Sequence, residues 1–231
     1  MTAVVAPSRR SEWAAGARAV VPMLLGVAPF GFAIGATAVE RELALAGWAT
    51  APLLFAGASQ MAVIDLIDSG ATTLVVVVTV LAINLRFTLF AASLAPHWRE
   101  ASGRWRAAAS YTIVDQLSVV ALARYEGAPA SPAEKRAFYT GAAVALWVGW
   151  VGVTTVGVVV GGSLPAALGL DMALPLAIVG LVAASVRDRA GLVAAAVAAA
   201  IAVPATALPY RSGVIVAGVT ALAVVGRGNR S

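Results

Sequence analysis

Gly57 to Pro96 reads GASQMAVIDLIDSGATTLVVVVTVLAINLRFTLFAASLAP, and the fold turns on how its second half is read. From Ala71 to Leu85 every residue is apolar or hydroxylic except Asn84; then comes Arg86, and Phe87 to Ala95 is largely apolar again. As one helix, Ala71 to Pro96 would be about 39 Å long at 1.5 Å per residue. That crosses a hydrocarbon core of roughly 30 Å with some tilt. Arg86 would lie about 15 Å from the Pro96 end, near the midplane. A guanidinium there costs from roughly 2.5 to over 10 kcal/mol and faces a bundle interior or a wet cavity, with a partner. The competing reading ends the span at Leu85 and lets Arg86 snorkel to the interface, which leaves Phe87 to Ala95 unexplained. Arg86 is therefore the expected functional pole.

The rest of the composition agrees with a membrane solvent. Of 231 residues, 61% are hydrophobic and 12% charged, with a mean hydropathy of +0.90. Soluble domains carry about 25% charged residues. The expected class is all-α: a polytopic transmembrane helical bundle of about seven to eight spans. The net charge of +5 does not point to nucleic acid, because the basic residues stand singly between apolar runs and read as topology signals. With no cysteine and one histidine, His97, disulfides, thiolate ligation and multi-histidine metal sites are excluded. No cofactor is expected.

Residues 1–18 are expected to form a cytoplasmic N-terminal segment, 19–226 a single transmembrane domain, and 227–231 a short basic tail. Segment 1, Ala19 to Val39, carries Pro29-Phe30-Gly31-Phe32, which predicts a break or kink. Segment 2, Leu43 to Ile64, carries Pro52 and Gly57-Ala58-Ser59-Gln60, and is the second candidate for a broken helix. Gln60 needs hydrogen-bond partners there, and Gly57 permits close approach by a helix or a ligand. Asp65 and Asp68 read as a solvated turn into segment 3, a cation site being the lesser alternative. Segment 4, Ala107 to Ala123, has Asp115-Gln116 at its centre. A mid-span carboxylate is as costly as the arginine, so Asp115 is the expected partner of Arg86. Segment 5 is Ala137 to Val160, with Trp147 and Trp150 far from the interfacial belts where tryptophan usually sits. Segments 6 to 8 are expected at Leu164 to Val186, Ala190 to Leu208 and Gly213 to Val225.

Eight spans with the N-terminus inside place Arg9, Arg10, Arg18, Arg124, Lys135, Arg136, Arg187, Arg189, Arg227 and Arg230 on the inner side. Arg41, Arg99, Arg104, Arg106 and Arg211 fall outside. The balance favours that orientation, but Arg99 to Arg106 violate it. A re-entrant segment 2 or segment 4, dipping in from one side, is the alternative that would repair this; making segment 2 re-entrant worsens the count, so eight spans stand as the expectation.

Pro29-Phe30-Gly31-Phe32, Gly57-Ala58-Ser59-Gln60, Asn84-Leu85-Arg86, Ser93-Leu94-Ala95-Pro96-His97 and Thr112 to Asp115 together resemble the AzlC-like family, as does Gly169-Leu170-Asp171 to Pro175 with Arg187-Asp188-Arg189. The resemblance covers about residues 15 to 210, with Ser59 to Pro96 the most specific block. It implies the large subunit of a bacterial two-component exporter of branched-chain amino acids, in the cytoplasmic membrane. It also implies a separately encoded small multi-span AzlD-like partner, forming a hetero-oligomer. Family members typically carry Asp-Glu where this chain has Asp115-Gln116, which bears on any proton-carrying role of the second position.

A branched-chain amino acid is a zwitterion with an apolar tail. Its site needs a cationic or N–H-rich end, an acceptor for the ammonium and an apolar pocket, which broken helices at mid-membrane supply. The candidates for binding or coupling are Arg86, Asp115, Asn84, Ser59 and Gln60, with backbone freed at Pro29, Gly31 and Gly57. The chain lacks GxxxxGK[ST], HExxH, GxSxG and a catalytic cysteine, so neither an ATPase nor an enzyme is expected. A channel-like or non-transporting subunit is the alternative; a scaffold has no need of charges at mid-membrane.

Overall fold

The computed structural model describes residues 9–161 and Ser163, all within the first of two compact units, Met1–Ala177. Among those residues the secondary structure is entirely helical: α1 Arg9–Ala19, α2 Val21–Glu40, α3 Ala44–Leu54, α4 Gly57–Asp68, α5 Thr73–Asn84, α6 Phe87–Leu94 with a 3-10 turn Ala95–Trp98, α7 Gly103–Tyr111, α8 Asp115–Gly127 and α9 Pro132–Gly161. Expected segments 6 to 8 and the basic tail lie outside the described residues.

The frame is α1 and α2 laid along α9. Leu24 meets Gly149, Gly31 meets Trp150 and Thr154, and Ala36 meets Gly161, so α2 and α9 run parallel. Small residues let the two backbones touch: a Cβ on Gly35 would stand 2.3 Å from the Thr154 carbonyl oxygen, and one on Gly157 2.2 Å from that of Phe32. α1, expected as part of a polar N-terminal segment, is a helix packed on the first half of α9 around Trp13 and Gly16. The break expected at Pro29 does not occur, and α2 is uninterrupted. Pro29 is on the exposed side, while Gly31, Ile34, Gly35 and Ala38 are buried. Packing on α9 outweighs one lost hydrogen bond.

Two parallel helices need a return crossing between them, and it is made by α5 and α6. Thr73–Asn84 and Phe87–Trp98 together are long and apolar enough for a span, bent by 43° at Leu85-Arg86. The intact helix expected over Ala71 to Pro96 is therefore broken at its charge. The backbone ladder tightens there: Thr88 N donates to Leu85 O at 3.0 Å and Leu89 N to Arg86 O at 3.2 Å. Thr88 Oγ1 adds a bond to Leu85 O at 2.6 Å. Short 3-10 stretches of this kind mark hinges.

Segments 2 and 4 prove to be hairpins and not single spans. α3 descends from the C-terminal end of α2, where Gly47 packs on Ala38 and Val158. It stops at Phe55, left-handed at φ 46°, and Ala56 is extended. The tip lies beside the middle of the frame, with Gly57 against Phe30 and Trp150. α4 then returns, and Asp65 and Asp68 pair with Arg41, the second at 3.7 Å. Both outer ends thus meet on one face. Asp65 and Asp68 lie in the last turn of α4, where they are partly solvated and also pair with Arg41.

The second hairpin mirrors the first from the opposite face. α7 starts with Trp105 bonded to Thr140 at 3.2 Å and ends with Tyr111, whose hydroxyl accepts from Trp147 Nε1 at 3.2 Å at the middle of α9. After an extended Val114, α8 returns until Tyr125 donates to the Lys135 carbonyl at 3.0 Å, in the first turn of α9. Among the described residues, α2 and α9 alone pass as single-helix spans, and the bent α5–α6 pair makes three.

This geometry repairs the charge pattern. With segments 2 and 4 returning to their own faces, Arg10, Arg18, Arg99, Arg104, Arg106, Arg124, Lys135 and Arg136 all lie toward the face where α1 and α9 begin, and Arg41 lies on the other. The loop that breached the positive-inside rule conforms once the extra crossings are removed. Counting the α3–α4 hairpin as a crossing is what places Arg99, Arg104 and Arg106 on the opposite side.

Candidate functional site

The break Asn84-Leu85-Arg86 sits between the two hairpin tips and is held by both. Ser59, in the first turn of α4, donates its hydroxyl to Asn84 Oδ1 at 2.5 Å. Arg86 Nη1 lies 3.1 Å from Asp115 Oδ2, at the first residue of α8. Each hairpin therefore presents the start of its returning helix to one side of the break. Asp115 also complements the positive end of the α8 dipole. The Arg86 guanidinium stands 5.0 Å from the centre of the Phe87 ring. Cation–π contact at this range adds about 0.5–1 kcal/mol at exposed sites.

The arginine–carboxylate pair expected from the sequence is thus present, but at helix breaks and not inside intact spans. Its side chains are 44% and 41% exposed. At membrane depth such a pair borders water or another protein, because lipid does not solvate it.

The other candidates divide. Ser59 and Asn84 join the ion pair at the break. Gln60 is fully buried; it donates to the Gly47 carbonyl at 3.0 Å and accepts from Trp150 Nε1 at 3.2 Å. Its amide ties α3, α4 and α9 together, as burial without water requires. Gly57 and Gly31 pack against Trp150, and Pro29 lies on the outer side of α2. The two glycines pack behind the first tip, and none of the three is part of the ion pair. The mid-run tryptophans gain their explanation: Trp147 and Trp150 each donate to a polar group at the depth of the tips.

Tyr111 is the residue that sequence reading missed. The left-handed Phe55 ends α3 and frees the Pro52 carbonyl; the Tyr111 hydroxyl, from the opposing hairpin, donates to it. The one signal in the sequence was a phenol in a short apolar run beside Thr112. Tyr111→Phe leaves that carbonyl and the Trp147 N–H without their partner. With Tyr111 half-exposed, the expected cost is about 0.5–1.5 kcal/mol, read as a fall of a few degrees in the unfolding midpoint in detergent, with Trp147→Phe giving a smaller loss. An unchanged midpoint contradicts the bridge.

An apolar groove of about 480 Å³ lies between α7 and α9, lined by Trp105, Tyr111, Tyr139 and Trp147 among others. It contains neither member of the ion pair. Among the described residues no group of three or more acidic or histidine side chains is placed to hold a metal.

Comparison with curated proteins finds no match, and neither does comparison with solved structures. Residues 22–164 match the family described as AzlC protein. The match spans α2 to α9, hence both hairpins and the broken crossing between them. This membrane chain, with its charge pair at the meeting point of two hairpins, belongs to the AzlC family, which is associated with branched-chain amino acid transport.

Proposed function

We propose that this chain is the large subunit of a secondary transporter that exports branched-chain amino acids across the bacterial cytoplasmic membrane, driven by protons. The observation that carries the reading is the half-exposed Arg86–Asp115 pair between the hairpin tips. A zwitterion replaces such a pair charge for charge. Its carboxylate takes Arg86 and its ammonium takes Asp115, with Ser59 and Asn84 as hydrogen-bonding neighbours. Exposed carbonyls and helix starts at broken helices serve the same purpose in mid-membrane sites generally. A proton arriving on Asp115 removes the acceptor for the ammonium and favours release, which couples proton and substrate.

Family membership supports a partner subunit, here a small multi-span AzlD-like protein. α5 offers a surface for it: none of its residues is buried, and Leu74, Val77, Val78 and Leu81 are exposed along it. The basic face carrying Arg10 through Arg136 supports a cytoplasmic N-terminus.

Counterflow of labelled leucine in proteoliposomes tests the assignment. Saturable counterflow is expected with the small partner co-reconstituted, and net flux follows an imposed proton gradient. Absence of leucine, isoleucine and valine flux from the intact pair of subunits contradicts the substrate assignment.

A further inference from the structure

The two hairpins share an architecture that the transport reading does not by itself require. Each returning arm carries a residue of the break site at its inner end and a charged residue at its outer end. α4 runs from Ser59 to Asp65 and Asp68, and Arg41 at the end of α2 holds it. α8 runs from Asp115 to Arg124, and Glu12 of α1 holds it through two contacts, Nη2 to Oε1 at 2.8 Å and Nε to Oε2 at 3.3 Å. The first clasp is on one face of the molecule and the second on the other. Both anchor to the same frame, α1 and α2 packed backbone to backbone on α9. The arms are therefore levers about 18–20 Å long at 1.5 Å per residue, pinned to a rigid body at their outer ends.

We propose that the hairpins are inverted gates, latched at opposite faces by Arg41 with Asp65 and Asp68 and by Arg124 with Glu12, that open in alternation around Asn84-Leu85-Arg86. The inference rests on the proposed transport function for its purpose and on the two clasps and their shared frame for its parts. The tips are also coupled, since Tyr111 of one hairpin donates to the Pro52 carbonyl of the other. The latches also differ in wetness. Arg41, Asp65 and Asp68 are 32%, 40% and 48% exposed, whereas Arg124 and Glu12 are 20% and 8% exposed. The first is thus the weaker, as a solvated pair, and the second is harder to open.

The chain has no cysteine, so a single reporter thiol is clean. Ala58→Cys places it on an exposed position in the first turn of α4, next to the break. Labelling by a membrane-impermeant maleimide is compared in right-side-out and inside-out vesicles holding the full chain with its partner subunit. Arg41→Gln is expected to raise labelling from the Arg41 face roughly two- to fivefold, the equivalent of a solvated pair, and to lower it from the other face. Arg124→Gln is expected to do the reverse, by a larger factor. The exchanged pair Arg41→Asp with Asp65→Arg is expected to restore the original ratio, which separates loss of a latch from local unfolding. Changes of the same sign from both faces, or no change, overturn the proposal. A vesicle in which the ratios shift reciprocally while leucine counterflow is absent retains the gates and rejects the substrate.

Discussion

Arg86→Ala is expected to reduce leucine export by about 10- to 100-fold while the protein still inserts and accumulates normally. Without the guanidinium, the Asp115 carboxylate at membrane depth has no cation within reach in the described structure. An isolated charge at that depth costs about 2.5–3.5 kcal/mol on insertion scales. Because the pair is 44% and 41% exposed, water recovers part of this, leaving about 1.5–3 kcal/mol, and each 1.4 kcal/mol is a factor of ten. The site then offers no cation for the substrate carboxylate, and Asp115 loses the partner that positions it. Asp115→Asn divides the two roles. Asparagine still accepts a hydrogen bond but cannot carry a proton, so gradient-driven export is expected to fall much further than counterflow. Equal loss of both modes would place Asp115 in binding alone. Normal export by both variants removes the ion pair from the mechanism.

The second large effect is structural. Gly35→Ala adds a methyl that meets the Thr154 carbonyl oxygen at 2.3 Å, Val158 N at 2.7 Å and Gly157 C at 2.9 Å. All three are backbone atoms of α9, so no side chain can rotate away, and α2 and α9 must separate. Overpacking of this kind costs about 1–3 kcal/mol. At roughly 2–4 °C per kcal/mol for a chain of this size, the unfolding midpoint in detergent is expected to fall by about 2–12 °C. Gly152→Ala is the matched control, since nothing lies within 4 Å of its added methyl, and it should leave the midpoint in place. If the two variants unfold alike, the parallel backbone contact of α2 and α9 is not what holds the frame. Arg41 and Glu12 extend from this frame, so Gly35→Ala is also expected to loosen both arms together, unlike either latch variant.

What could be read in advance follows from the bilayer as solvent. Composition alone excluded a soluble fold, because so few charges cannot cover a surface. The cost of charge at mid-membrane singled out Arg86 and paired it with Asp115 before any geometry was known. Out-of-belt Trp147 and Trp150 and the amide of Gln60 announced buried polar partners without naming them. Local chemistry misjudged the breaks, however. Pro29 suggested one where the backbone contact of α2 with α9 keeps the helix whole. Arg86 broke a run that propensity reads as continuous, because Asn84 and Arg86 are drawn to different hairpins.

Whether an apolar run crosses or returns was decided only by tertiary structure. Hydropathy reports how long a segment is and is blind to its direction, so α3–α4 and α7–α8 each passed for a span. Direction is set by contacts far apart in sequence: Arg41 to Asp65 closes one hairpin, Tyr125 to Lys135 the other, and Tyr111 caps the carbonyl that the first turn exposes. The sequence alone determined that opposite charges must meet inside the membrane. The fold decided that they meet where three chain breaks converge, because backbone and side-chain polarity are gathered there.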